Sequence, residues 1–198
     1  MEEEILKNRY EFSSNGKAII DVTVGEIGDL FNSFDKRAIY TRRELDQDFV
    51  EYITDCVKEL GTVDFEIMIN IENEFNIMQE NTLRKAVKNH FSYLYSIEHK
   101  KIRVEFKKFS FLFMLGVFLA VLVYKMNISE NEAVDLWVGI LSEGIIVAMW
   151  VAFWEATTSL IFGFRPYYSN RQMYQRIVNA DFKVYNSASV ISLPGFGK

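Results

Sequence analysis

The sequence predicts an α+β fold in which a small domain of sheet and helices is joined by one long helix to a two-helix transmembrane hairpin. Residues 17–24 and 62–72 alternate apolar and polar side chains, as strands with one buried face do. Residues 109–126 and 136–163 are apolar stretches on either side of a short acidic loop. The predicted boundaries are 1–108 for the domain with its stalk helix, 109–163 for the hairpin and 164–198 for a C-terminal segment.

The alternating segments predict a sheet with one packed and one solvated face. In residues 62–72 the apolar side chains of Phe65, Ile67 and Ile69 face one way. The polar side chains face the other way, namely Asp64, Glu66, Asn70 and Glu72. We therefore expect an antiparallel or mixed sheet with helices on one side. Residues 181–185 are expected to return as a third strand.

Between these strands, apolar residues recur every three or four positions over residues 45–60 and predict an amphipathic helix. Thr41-Arg-Arg-Glu44 has the pattern of a capping box at its start, and Gly61 suits its C-terminus. Two further capping boxes, at 23–26 and 129–132, predict a short helix through Phe34 and the start of the second membrane helix.

One long helix is predicted to connect the domain to the bilayer. Apart from Gly116, no helix breaker interrupts residues 81–126, and Leu83, Val87 and Phe91 mark its apolar face. Such a helix is about 70 Å long and is expected to couple domain and membrane as a rigid stalk. Its last part, residues 109–126, carries one charge at its end and is about 27 Å long, close to the thickness of a bilayer core.

The second span places a small residue at every fourth position, namely Gly144, Ala148, Ala152 and Ala156. Small side chains let two helices approach closely in lipid, where contact distance decides affinity. This helix-packing seam either packs the second span against the first, with Gly116 as the matching small residue, or joins subunits. The sequence leaves both alternatives open.

Two carboxylates on the adjoining stripe of the second span, Glu143 and Glu155, form a candidate ion path. A charge near the bilayer centre costs about 2.5 to 3.5 kcal/mol, so such residues normally face protein or water. The alternative is that each glutamate is protonated, reaches an interface or bonds a neighbouring hydroxyl group.

The distribution of basic residues predicts the topology. The basic residues before the first span are Lys100, Lys101, Arg103, Lys107 and Lys108. The second span is followed by Arg165, Arg171 and Arg176, whereas the loop carries Glu130, Glu132 and Asp135. By the positive-inside rule both termini face the cytoplasm. The run from Lys100 to Lys108 is also a candidate contact for anionic lipid head groups, each contact being worth about 1 kcal/mol.

The acidic N-terminus has no apolar core, so we expect no cleavable signal and an insertion signal in the first span.

Other classes of function lack support in the sequence. The net charge is −5 and the basic residues cluster beside the membrane, so nucleic-acid binding is not expected. The single cysteine, Cys56, is predicted to be a packed thiol. His90 is predicted to be a packed or polar-bonded helix residue and His99 a solvated one, with no metal ligands beside them. No phosphate-binding loop or nucleophile elbow occurs, so we expect neither an enzyme nor a cofactor.

Several segments resemble a widespread group of uncharacterised bacterial two-pass membrane proteins. The most specific is Glu143-Gly-Ile-Ile-Val-Ala-Met-Trp-Val-Ala-Phe-Trp154. Shorter matches are Leu30-Phe31 with Phe34-Asp35, Glu44-Leu45-Asp46 with Tyr52-Ile53, and Asn89-His90-Phe91. Proteins of this group commonly have Arg-Pro after the second tryptophan of this segment. This chain has Glu155-Ala156 there, which argues against a family-wide role for Glu155. The resemblance implies a bacterial inner-membrane protein with a cytoplasmic α+β domain, and it implies no activity.

Together these patterns favour a non-enzymatic, membrane-anchored module. We expect it to lie in the lipid bilayer, to form a homo-oligomer through its second span and to present its cytoplasmic domain to a protein partner. The alternative is an oligomeric pore or membrane-permeabilising effector, gated by the cytoplasmic domain and lined by Glu143. A third possibility is an accessory subunit of a larger membrane complex.

Overall fold

The structure, a computed structural model, describes residues 2–33, 43–128 and 136–186. The predicted capping box at 129–132, the loop carboxylates, Phe34 and the tail beyond 186 lie outside these residues. The strands of the described part are β1 (Glu11–Phe12), β2 (Ala18–Val24), β3 (Phe65–Ile71) and β4 (Asp181–Asn186). The helices are α1 (Glu2–Arg9), α2 (Gln47–Leu60), α3 (Ile77–Ile128), α4 (Leu136–Thr158) and α5 (Phe164–Asn179).

The sheet is mixed, as predicted, with the strand order β1-β2-β3-β4. The short strand β1 pairs antiparallel with β2, and β2, β3 and β4 are parallel to one another. Ile20 lies opposite Ile67, and Ile67 lies opposite Phe182, so the apolar side chains of the three parallel strands share one face. The strand predicted at 181–185 is therefore present, and it is the fourth strand because the sequence pattern did not predict β1.

Parallel neighbours need long crossover connections, and the chain makes two of them. The first, from β2 to β3, contains α2. The second, from β3 to β4, contains α3, α4 and α5. Both long apolar helices are thus inserted into one crossover between adjacent strands of the sheet.

Contacts divide the chain into two units, Met1–Tyr95 with Gln172–Lys198, and Ser96–Arg171. We call the first the sheet unit and the second the helix-pair unit. In the sheet unit, Ile20, Ile67 and Ile69 are fully buried. The helices complete this core with Ile53, Val57, Val87, Phe91 and Ile177. The apolar face predicted for β2 and β3 is therefore the core face.

The predicted start of α2 at a Thr41–Glu44 capping box is wrong, because the helix begins at Gln47; Thr41 and Arg42 themselves lie outside the described residues. Leu45 forms an antiparallel bridge with Phe31, so the chain just before the helix is extended. The cap is Asp46, whose carboxylate accepts hydrogen bonds from the backbone N–H groups of Asp48 at 2.9 Å and Phe49 at 3.4 Å. The predicted end is confirmed, because Gly61 follows the helix with a φ of 57°.

The capping box predicted at 23–26 is also misplaced. Thr23 belongs to β2, and the helix that follows is a short 3-10 turn, Ile27–Leu30. Glu26 caps it, and the backbone N–H of Glu26 donates a reciprocal hydrogen bond to Asp29 Oδ2 at 2.9 Å. The turn ends before Phe34 because Phe31 enters the bridge with Leu45.

The predicted long helix is confirmed and begins four residues earlier than residue 81, at Ile77. A capping box that the sequence reading missed starts it. The backbone N–H of Gln79 donates to Asn76 Oδ1 at 2.8 Å, and the backbone N–H of Asn76 donates to Gln79 Oε1 at 2.9 Å.

The helix that carries the second apolar stretch does not end at residue 163. A π-helical turn, Ser159–Gly163, joins α4 to α5. Pro166 has no backbone N–H to donate, and its ring would crowd the carbonyl of Phe162 in a regular α-helix. The wider turn accommodates the proline, so the helix continues to Asn179.

Candidate functional site

Two helices of the described chain are long and apolar enough to cross a membrane. They are the stretches Ile77–Met126 and Gly139–Asn179. Each helix contains a most apolar window, and little of it is buried. The buried share of this window is 6% in the first helix and 17% in the second. Phe111, Phe118, Trp150 and Trp154 are among the exposed side chains. A core helix of a soluble protein is mostly covered, whereas these apolar windows are mostly exposed, so both helices are candidate membrane spans.

The helix-pair unit is held together by aromatic packing around Gly116. The ring of Phe153 lies so close that a Cβ added at Gly116 would be 3.0 Å from it. Phe113 meets the same ring edge-on, with centroids 5.8 Å apart. Gly116, the small residue predicted to match the seam, therefore packs closely against the ring of Phe153 in α4.

The small residues of the predicted seam fall into two pairs. Ala152 and Ala156 are buried, with exposed fractions of 5% and 2%. Gly144 and Ala148 are exposed, and a Cβ added at Gly144 would meet no described atom within 4 Å. The pair nearer the π-turn is thus packed within the chain, and the other pair presents an uncovered groove on α4. We call Gly144 and Ala148 the open stripe.

The two glutamates of the candidate ion path lie toward opposite ends of the apolar segment. Glu155 is half-exposed, and its Oε2 atom lies 3.9 Å from Lys108 Nζ. Glu143 is exposed on the same helix. Of the two glutamates, Glu155 thus lies within reach of a lysine of α3.

The basic residues proposed to contact lipid head groups form a band on α3. Lys100, Lys101, Arg103, Lys107 and Lys108 are all exposed. Lys101 Nζ lies 2.7 Å from Glu98 Oε1 and 5.5 Å from the ring centroid of Tyr167. A shallow cavity of about 290 Å³ lies beside Lys100, Lys101 and Tyr167. This band combines exposed positive charge with an aromatic ring, which suits the head-group region of a membrane.

The histidines are more enclosed than their surroundings in the sequence suggest. His99 is half-buried and its neighbour Glu98 is buried, so the expectation of a solvated His99 is wrong. His90 is half-buried and packs edge-on against Phe91, as expected. Burial lowers the pKa of His90, an effect that the charge of Glu44 opposes. Among the described residues, no three His, Cys, Asp or Glu side chains are grouped to hold a metal ion.

The sheet unit contains a cavity of about 590 Å³ on the face opposite the core. It is lined by strand residues of this face and by residues of α2 and of the segment joining α1 to β1, namely Arg9, Tyr10, Glu11, Ile19, Asp21, Tyr52, Cys56, Glu66, Met68, Asn70 and Tyr185. We call it the sheet cavity. The sequence reading assigned this face to solvent, yet Glu66 is 4% exposed and Asn70 is half-buried. The prediction of a fully solvated face is therefore wrong at β3.

Hydrogen bonds fix the walls of the sheet cavity. The hydroxyl group of Tyr10 donates to Glu59 Oε2 at 2.6 Å, and that of Tyr52 donates to the carbonyl oxygen of Asp21 at 3.2 Å. The ammonium group of Lys183 donates to Glu66 Oε2 at 2.7 Å. These contacts join α2 to Tyr10 and to β2, and join β4 to β3, so they hold the elements around the cavity in place.

Several groups at the sheet cavity have shifted pKa values. Burial, and then the nearby charge of Glu11, raises the pKa of the Asp21 carboxyl group. Burial and the hydrogen bond to Glu59 raise the pKa of Tyr10, and burial raises that of Tyr52. The tyrosines therefore stay neutral hydroxyl donors, and the site favours groups that offset negative charge.

The predicted packed thiol, Cys56, is buried at 6% exposure and lies at the back of the sheet cavity. Sequence reasoning did not find this cavity. Its signal was present in the carboxylates Asp21 and Glu66 on the polar face of neighbouring strands, and in Tyr52 and Cys56 one turn apart on α2.

Comparisons with known proteins return nothing similar. No family model, no curated protein and no solved structure matches this chain. The resemblance to two-pass bacterial membrane proteins therefore stays a prediction from the sequence.

Proposed function

We propose that the protein is a non-enzymatic, membrane-anchored module that self-associates through α4 and presents the sheet unit to a protein partner. The observation that carries the proposal is the uncovered apolar surface of the helix pair, which includes Phe111, Trp150 and Trp154. Water would penalise this surface at about 25 cal/mol for each Å² of apolar area, whereas lipid does not. The proposed setting of α3 and α4 is therefore a transmembrane hairpin.

The proposed location is the bacterial inner membrane with both termini in the cytoplasm. The basic band on α3 and Arg165 on α5 supply the positive charge expected on the cytoplasmic side. Arg176 does not belong to this set of membrane-facing charges. Its guanidinium group donates to the backbone carbonyl oxygens of Gly61 and Val63 and lies over the ring of Phe65, so it acts within the sheet unit.

The open stripe is the proposed site of self-association. Gly144 and Ala148 are uncovered, while Ala152 and Ala156 are already packed within the chain. A helix from a second copy can approach closely only where side chains are small and unoccupied. The packing thus favours the open stripe over the whole seam as the contact between subunits.

The test uses disulfide crosslinking in native membranes. In a Cys56→Ser background, Ala148→Cys should form crosslinked dimers on oxidation. The matched control, Ala152→Cys, lies one turn further along the same helix and is buried, so it should not crosslink. Equal crosslinking at both positions, or at neither, would contradict assembly through the open stripe.

The alternative function is an oligomeric pore or membrane-permeabilising effector. One observation favours it: Glu143 is exposed beside the open stripe, so assembly there would bring the Glu143 carboxylates of several copies near one another. Purified protein in planar bilayers should then conduct cations, and Glu143→Gln should change the conductance or the selectivity. A protein that carries no current in any state would exclude the pore.

A further inference from the structure

We propose that the sheet cavity binds a small organic cation, an amine or guanidine with an apolar or aromatic body, whose charge is held by Asp21 and Glu11. This site belongs to the sheet unit alone and is independent of the membrane anchor and of self-association. It would give the module a ligand to sense.

The dimensions of the sheet cavity suit a small molecule. Its volume of about 590 Å³ falls within the range of about 300 to 1,000 Å³ that is typical of small-molecule sites. The walls come from the end of α1, Tyr10, all four strands and α2. A cavity enclosed by regular elements on several sides keeps its shape before a ligand arrives, which lowers the entropic cost of binding.

The charges of the sheet cavity leave an excess of two carboxylates. Glu66 is paired with Lys183 at 2.7 Å, and Arg9 is paired with Glu59 at 3.0 Å. Asp21 and Glu11 lie on the same face of the neighbouring strands β1 and β2, and no ion pair joins either to a cation among the described residues. Their mutual repulsion raises the pKa of Asp21 beyond the effect of burial. A bound cation would relieve this repulsion.

The remaining lining explains why the ligand would be organic. Ile19 and Met68 give an apolar floor, and Tyr52 and Tyr185 add aromatic rings beside it. Aromatic faces attract cations, and apolar walls favour a ligand body that leaves water. An inorganic divalent cation would instead need about six converging oxygen ligands, and the described residues offer no such cluster.

Cys56 provides a reporter for the test because it is the only cysteine of the chain and it lines the sheet cavity. The full-length protein in detergent is treated with three small methanethiosulfonates: the cationic aminoethyl, the anionic sulfonatoethyl and the neutral methyl reagent. Each rate is divided by the rate of the same reagent with a small free thiol, which removes the differences in reactivity between the reagents themselves. The cationic reagent should modify Cys56 about tenfold faster than the anionic one.

Variants connect this preference to the proposed residues. Cys56 also borders an outer groove lined by Asp48, Glu51 and Asp55, so charge preference alone does not identify the route. Asp21→Asn should lower the ratio of cationic to anionic rates about threefold or more. The matched control Glu74→Gln removes an exposed carboxylate that does not line the sheet cavity and should leave the ratio unchanged.

Ligand competition completes the test. The probe 2-phenylethylamine, at millimolar concentration, should slow modification of Cys56, whereas its neutral isostere 2-phenylethanol should not. Glu11→Gln, at an exposed position of a two-residue strand, should weaken this protection even if Asp21→Asn proves unstable. The proposal is overturned if no reagent modifies Cys56 in the folded protein, if neither variant changes the ratio or the protection, or if the alcohol protects as well as the amine.

Discussion

Removing the guanidinium group of Arg176 should destabilise the sheet unit by about 2 to 4 kcal/mol. This side chain donates to the carbonyl oxygens of Gly61 and Val63, in the turn between α2 and β3, and lies 5.1 Å from the ring centroid of Phe65. Hydrogen bonds from a charged donor contribute about 1.5 to 3 kcal/mol each, and a half-exposed cation over a ring adds about 0.5 to 1. These contributions sum to about 3.5 to 7 kcal/mol, and screening by solvent at the partly exposed Arg176 reduces the expected loss to about 2 to 4 kcal/mol.

The assay measures urea unfolding of the full-length protein in detergent through the labelling of Cys56 by a maleimide coupled to polyethylene glycol. This reagent is too bulky for the sheet cavity and reports exposure of the buried thiol. With a urea dependence of about 2 kcal/mol per molar, Arg176→Ala should lower the midpoint by about 1 to 2 M. Arg176→Lys should recover only part of the loss, because an ammonium group does not provide the planar fork of donors.

The control for this prediction is Lys85→Ala, which removes an exposed cation of α3. It should change the free energy of unfolding by less than about 0.5 kcal/mol. An Arg176→Ala variant that unfolds at the same urea concentration as Lys85→Ala would refute the reasoning.

Three further predictions test other contacts. Gly116→Val should lower the midpoint of thermal unfolding of the helix pair, followed by tryptophan fluorescence, because the new side chain meets the ring of Phe153. The unfolding free energy should fall as the pH drops below 6.5, because burial lowers the pKa of His90 and the unfolded chain then binds more protons; His90→Gln should flatten this slope. Lys183→Met should cost about 2 to 3 kcal/mol in urea unfolding, because it leaves the buried Glu66 carboxylate without its cation.

Each of these predictions has a matched comparison. Gly139→Val changes a helical glycine with no described atom near its added Cβ, so it should leave the unfolding midpoint unchanged. The comparison for His90 is the slope of the unfolding free energy against pH between about pH 5.5 and 7.5. Equal slopes in the wild type and in His90→Gln would contradict the role given to the histidine. Adding Glu66→Gln to Lys183→Met should restore most of the lost stability; a double variant as unstable as the single one would contradict the role given to the pair.

The sequence was sufficient where a structure depends on local periodicity. The unbroken helical pattern predicted α3, and the alternation in 62–72 predicted β3 and its core face. It was misleading where a distant residue decides the outcome. Thr41-Arg-Arg-Glu44 has the composition of a capping box, yet Leu45 pairs with Phe31 and the next residue, Asp46, caps the helix. Parallel pairing of the strands also depends on crossovers that periodicity does not reveal.

The same limit applies to the sites. The small-residue seam was visible in the spacing of α4, but only packing separates buried Ala152 and Ala156 from exposed Gly144 and Ala148. Glu66 has the composition of a solvated strand residue, and the ion pair with Lys183, more than a hundred residues away, allows it to be buried. Long-range partners of this kind define the sheet cavity, so no local pattern predicted it.

The central claim is that the protein lies in a membrane and assembles through α4. The most direct test is to form lipid nanodiscs from membranes that contain the protein. Native mass spectrometry then gives the number of copies in each nanodisc. The proposal predicts a discrete complex of two or more copies, which Ala148→Leu converts to single copies. A protein that is recovered in the soluble fraction, or that is a single copy in every nanodisc, would contradict it.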